Sequence, residues 1–164
     1  MDDECGAAMF VECGRHNPPL PVGIMAFKGL TPLLPAIRNL AAQSPPTPII
    51  LDHWGYIRES PADSPGGQAV DEEAWEAMLQ LCRDLPQVHV KISALFRVSS
   101  VGAAGGYSDL QARFTQLLNV CGSERLLFGS DFPFVMLEEN GGYGAAIEAV
   151  RSWTAACKPE VAES

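Results

Sequence analysis

Four short apolar runs constrain this chain more than any other feature of it: Pro21-Val-Gly-Ile-Met-Ala-Phe27, Thr47-Pro-Ile-Ile-Leu51, Val88-His-Val-Lys-Ile-Ser-Ala94 and Glu124-Arg-Leu-Leu-Phe-Gly-Ser130. They recur about every 35 residues and read as buried strands. Five segments of helical periodicity flank them. The first, Asp2 to His16, is stopped by Asn17-Pro18-Pro19. The second has Thr31 as cap, Pro32 at its first position and an apolar face of Leu33, Leu34, Ile37, Leu40 and Ala41. The third opens on Asp71-Glu-Glu73 and carries Trp75, Met78, Leu79 and Cys82, and the fourth runs from about Asp109 to Val120 and stops at Gly122. The last carries Ile147, Val150 and Trp153 before a polar tail. Strand and helix alternate, which predicts an α/β fold with a parallel sheet and helical crossovers.

The tips of parallel strands share one edge, where α/β enzymes keep their chemistry. Lys28, His53, Lys91 or Ser93, and Asp131 should therefore face one crevice. Asp131 closes Arg125-Leu-Leu-Phe-Gly-Ser-Asp131-Phe-Pro133, with Ser130 and Phe132-Pro133 placed to fix its direction. A carboxylate there can serve as general base or metal ligand, and its alternative is a turn cap that accepts from backbone amides. His53, in Asp52-His-Trp-Gly55, ends an apolar strand and can polarise a carbonyl, ligate a metal or shuttle a proton; its alternative is a satisfied core imidazole. Asp52 would point to the opposite face if the strand continued, and is read as structural. Arg97 lies on the loop after the third strand, where it could grip a substrate carboxylate or phosphate, or be a solvated surface group. Lys91 and Ser93 alternate on one strand face and are candidates for the interior of a closed sheet. His16 and His89 are weak candidates. The Gly/Pro/Ser segment through Pro65-Gly66-Gly67 has the length of a lid over the strand tips.

At 164 residues with 47% hydrophobic and 19% charged content, the chain suits one globular domain. A net charge of −9 with no basic cluster argues against a nucleic-acid partner. No apolar run reaches the ~20 residues of a membrane span, and Met1-Asp-Asp-Glu is the reverse of a cationic leader, so a cytoplasmic location is expected. Five scattered cysteines without a C-x-x-C pair read as reduced thiols, mostly small buried hydrophobes on helices. G-x-G-x-x-G, P-loop and G-x-S-x-G motifs do not occur.

Leu51-Asp-His-Trp-Gly55, Val90-Lys-Ile-Ser-Ala-Leu-Phe-Arg97 and Glu124-Arg-Leu-Leu-Phe-Gly-Ser-Asp-Phe-Pro133, in this order, resemble the last strands of the amidohydrolase-related family of metal-dependent hydrolases, nearest in style to pyrone dicarboxylate lactonase and fuconolactonase. The resemblance implies that residues 1–157 form the carboxyl-terminal half of a (β/α)₈ TIM barrel, strands five to eight, with 158–164 as a tail. It also implies that His53 and Asp131 are catalytic or metal-ligating, in a site that holds zinc or another divalent ion, or works metal-free as in the lactonase branch. No histidine in Val22 to Lys28 matches the family's fifth-strand ligand, and the His-x-His pair of its first strand is missing from the chain. The chain is thus expected to be incomplete as a barrel.

The activity implied is hydrolysis of a lactone or similar carboxylated ester by activated water. Asp131 would be the base, His53 would polarise the carbonyl, and Arg97, Lys91, Ser93 and Lys28 would hold the substrate. The alternative is a non-catalytic half-barrel that forms a homodimer or pairs with a complementing half.

Overall fold

A computed structural model describes residues 3–58 and 72–157. The proposed lid segment and the polar tail lie outside these residues. Four parallel strands, β1 (Val22–Ile24), β2 (Ile49–Leu51), β3 (Val88–Ile92) and β4 (Leu126–Phe128), lie side by side in sequence order. Val22 pairs with Ile49, Ile49 with Val88, and Val90 with Leu126. Six helices accompany them: α1 (Glu4–Arg15), α2 (Leu34–Gln43), α3 (Glu72–Asp84), the one-turn α4 (Leu95–Val98), α5 (Gln111–Cys121) and α6 (Gly142–Ala156). The expected four strands and five long helices are present, and α4 is an addition.

The strands are shorter than the apolar runs, and one sheet face is less buried than the other. Ile24, Ile49, Leu51, Val88, Val90 and Ile92 are buried against the helices. Side chains of the other parity, Ile50, His89, Lys91 and Leu127, are only half-buried, and Met25 and Phe27 beyond β1 are exposed. A strand buried on both faces would show no such alternation. Among the described residues both β1 and β4 have a strand neighbour on one side only.

Helix ends follow local chemistry, with one correction. Asp3 caps α1 by accepting from the Gly6 amide at 2.7 Å. Gly122 ends α5 at φ 69°. Thr31 is not a side-chain cap: Thr31–Leu33 form a 3₁₀ turn ahead of α2, which has Pro35 in its first turn. Of the cysteines, Cys82 and Cys121 are buried while Cys5 is exposed and Cys13 and Cys157 lie between, so the buried-hydrophobe reading holds for two of five. Among the described residues no helix is long and apolar enough to cross a membrane.

Arg125 ties the lower end of the sheet to the helix layer. Its Nε donates to the Cys121 carbonyl at 3.1 Å and its Nη2 to that of Val120 at 2.9 Å. Nη1 is shared among the carbonyls of Cys82 (2.9 Å), Leu85 (3.4 Å) and Val88 (3.2 Å). The last carbonyls of a helix have no partner within it and carry partial negative charge. One guanidinium satisfies those of α3 and α5 together and reaches the first residue of β3. Arg125→Met should lower stability by about 2–4 kcal/mol, read as a lower urea midpoint at unchanged m-value; a loss below about 0.5 kcal/mol would show that water serves these carbonyls equally well.

Candidate active site

The chain leaves β2 through a left-handed turn. His53, Trp54, Gly55 and Tyr56 have φ of 50°, 59°, 64° and 61°. For the three non-glycine residues this costs about 1–2 kcal/mol each. Trp54, 1% exposed, packs edge-on against Trp153 of α6 at 6.2 Å, and burial of an indole returns about 4–6 kcal/mol, less about 1–3 kcal/mol for its buried Nε1, which has no hydrogen-bond partner among the described residues. The tryptophan beside the histidine thus offsets part of the strain. At Gly55, φ 64°, a Cβ would lie 2.7 Å from the Met78 sulfur, so a larger residue would force Met78 to move.

The turn breaks strand alternation, and Asp52 and His53 both reach the open face. The expectation that Asp52 points away is therefore corrected: its Oδ1 accepts from Lys91 Nζ at 2.8 Å. His53 is 4% exposed. Its Nδ1 meets Ser93 Oγ at 2.8 Å, while Nε2 stands 3.7 Å from Asp131 Oδ1. Ser93 is itself buried, so it orients the imidazole instead of lining the crevice.

Asp131 has φ 64°, the same left-handed class as His53. Non-glycine residues held there cluster at functional sites. Its carboxylate partners are side chains and not turn amides: Oδ2 accepts from Arg97 Nε at 2.7 Å, and Oδ1 faces His53. Ser130 Oγ accepts from the Phe132 amide at 3.3 Å, fixing the turn as expected.

Arg97 sits on α4, between the rings of Phe96 and Phe134 at 5.0 and 4.8 Å. Its Nε is committed to Asp131, so it is not a freely solvated surface group. That hydrogen bond raises the already high pKa of Arg97, so it is a fixed cation. Beside it opens a recess of about 320 Å³ lined by Arg58, Phe96, Arg97, Phe134, Leu137, Glu139 and Asn140. The Arg58 guanidinium lies 5.4 Å from the Tyr56 ring centre. Arg58, Phe96 and Phe134 were not candidates from the sequence; Phe96 adjoins Arg97, but nothing marks Arg58 until the turn after His53 is known. Lys28 is exposed past Phe27, and among the described residues no hydrogen bond or ion pair brings it to the His53–Asp131 pair.

Burial is the largest influence on His53 and lowers its pKa below the usual 6.5; Asp131 and Asp52 act against it, and Lys91 and Arg97 with it. The imidazole is neutral at pH 7. One ring nitrogen then donates and the other accepts; the Ser93 hydroxyl can meet Nδ1 in either role, whereas the Asp131 carboxylate can only accept. Among the described residues no three His, Cys, Asp or Glu side chains converge to hold a metal.

A family model described as amidohydrolase matches residues 4–164. Two crystal structures of an amidohydrolase from Burkholderia multivorans share the fold. One, with bound HEPES, has a TM-score of 0.72 at 22% identity, over 97% of this chain and 53% of that one. The other, with bound zinc, also has a TM-score of 0.72, at 21% identity over 97% and 52%. A candidate 2-pyrone-4,6-dicarboxylic acid hydrolase from Pseudomonas putida has a TM-score of 0.60 at 20% identity, over 86% and 45%. The chain spans about half the length of these solved relatives. None of the curated protein sequences matches it. The four parallel strands with their helices are thus part of a TIM-barrel fold, as expected.

The lowered His53 pKa has a signed consequence. The unfolded chain takes up the His53 proton at about pH 6.5, and the folded chain only below that, so this contribution to stability is complete above about pH 6.5 and is lost as pH falls toward the folded pKa. An NMR titration should place the His53 ring below 6.5. Ser93→Ala should shift that titration and broaden the ring signals with little change in thermal midpoint; an unaltered titration would mean that Ser93 does not orient the ring.

Proposed function

The chain belongs to the amidohydrolase family, and we propose that it supplies part of a barrel hydrolase site in which Asp131 activates water to open a carboxylated lactone or similar ester. The observation that carries this reading is the His53 Nε2–Asp131 Oδ1 separation of 3.7 Å at the ends of β2 and β4. A single water oxygen can lie about 2.8 Å from both. Arg97 holds Oδ2, which leaves Oδ1 to take the proton as the water attacks the acyl carbon. His53, turned by Ser93, polarises the carbonyl or carries the proton onward to the departing alkoxide. Lys91, bonded to Asp52, adds positive charge to the same face.

The recess supports a flat, carboxylated substrate. Arg58 and the outer edge of Arg97 supply charge for a carboxylate, and Phe96 and Phe134 supply ring faces.

One of the Burkholderia structures holds zinc. A catalytic zinc normally has three protein ligands, whereas His53 and Asp131 are two, and Arg97 competes for the second carboxylate oxygen. The described residues do not make a zinc site by themselves, and the steps above use this chain's side chains alone. Further ligands would have to come from additional strands.

A second reading is favoured by the open sheet edges at β1 and β4 and by exposed Phe27 and Phe128 near them. In it, the half-barrel pairs with another copy or a complementing set of strands without catalysis of its own. Sedimentation over a hundredfold range of concentration distinguishes a self-pairing chain from a monomer.

In the active assembly, Asp131→Asn should lower kcat for lactone hydrolysis about 10²- to 10⁴-fold. Arg58→Met should raise KM about tenfold with kcat nearly unchanged. Undiminished turnover in Asp131→Asn would overturn the assignment.

A further inference from the structure

The loops after β3 and β4 are joined by a chain of contacts that ends on Asp131. Tyr107, fully buried at φ 53°, donates its hydroxyl to the Asn140 carbonyl at 2.9 Å. Asn140 donates its side-chain amide to the Phe134 carbonyl at 2.6 Å. The Phe134 ring lies 4.8 Å from the Arg97 guanidinium, whose Nε holds Asp131 at 2.7 Å. Phe134 is half exposed, so packing alone does not fix its ring. The loop carrying Tyr107 is held separately: Ser99 Oγ donates to Asp109 and accepts from the Gly102 amide, and the Tyr107 amide donates to the Gly102 carbonyl at 3.0 Å. At Gly141, φ 71°, a Cβ would strike Ala103 and crowd the Tyr107 hydroxyl, so the two loops meet at close range.

We propose that Tyr107 and Asn140 are positioning residues that set the Phe134 ring against Arg97 and thereby aim the Asp131 carboxylate. The inference rests on the reading of Asp131 as the active carboxylate. An exposed phenyl ring on a short loop samples several rotamers unless its backbone is pinned. Asn140 pins the Phe134 carbonyl, Tyr107 in turn holds Asn140, and the guanidinium lies over the rings of both Phe96 and Phe134. Without them Arg97 would gain room to swing away, and Oδ1 of Asp131 would lose its fixed direction toward His53. The glycines on both loops fit this role, because they allow Tyr107 and Asn140 to meet.

The test is solvent exchange of the Arg97 Nε proton, followed by ¹⁵N NMR on the full chain. Tyr107→Phe and Asn140→Ala should each speed exchange about fivefold to tenfold, the loss of roughly one hydrogen bond. Phe134→Leu should do the same. Ser99→Ala, which loosens the same loop without touching the contact chain, should leave exchange unchanged. Unchanged exchange in Tyr107→Phe and Asn140→Ala overturns the proposal, as does equal acceleration in Ser99→Ala, which would mark general loosening. If Tyr107→Phe fails to fold, Asn140→Ala decides alone. Faster exchange in the relay variants, together with full turnover in Asp131→Asn, would keep the positioning role and remove the catalytic one.

Discussion

The grip of Arg125 on five backbone carbonyls is the interaction on which the rest of the arrangement depends. Two helices end close to one another at the foot of the sheet, and their terminal carbonyls would repel without a cation between them. With it, α3 and α5 are held at fixed depth beneath β3 and β4, so the upper ends of those strands are fixed too. The Lys91, Ser93 and Asp131 side chains stand on those upper ends. A charge at the bottom of the fold thus sets the geometry of charges at the top.

The upper cluster divides its work between two kinds of contact. Charge pairs, Lys91 with Asp52 and Arg97 with Asp131, keep both carboxylates partnered. Aromatic contacts hold the backbone and the cations: Trp54 under the His53 turn, Phe96 and Phe134 around Arg97, Tyr56 beside Arg58. Removal of a charge changes the chemistry, while removal of a ring changes where the charge sits. Between His53 and Asp131 the facing atoms stay 3.7 Å apart, beyond direct hydrogen-bond distance.

Much of this was legible in the chain before any coordinates. Alternating apolar runs and helical segments fix the parallel sheet, because only crossover helices can connect parallel strands at that spacing. His53 and Asp131 could be placed because each ends such a run. What could not be read was the backbone conformation after the run. Asp52 and His53 share a face only because His53, Trp54 and Tyr56 adopt positive φ, and no propensity rule favours that in aromatic residues. The same ignorance hid Arg58 and Tyr56. Arg97 was read as part of the loop after the third strand and lies instead on the one-turn α4, and its partner lies 34 residues away, beyond the reach of local pattern. Ser93 was assigned to substrate because strand parity shows which face a hydroxyl is on, not whether an imidazole covers it.

Because every strand pairs with its neighbour in sequence, the sheet holds no interleaved strand. Val22 and Ile49, or Ile49 and Val88, meet across a single strand-and-helix crossover. Such a sheet can zip up one unit at a time as it leaves the ribosome and can unzip from either side. Among the described strands β2 and β3 are bonded on both sides and β1 and β4 on one, so within these four amide protection should be deepest at the central pair. Asp131 follows a rim strand and His53 a central one. Within these four strands, the half of the pair carrying the carboxylate is thus the less protected one.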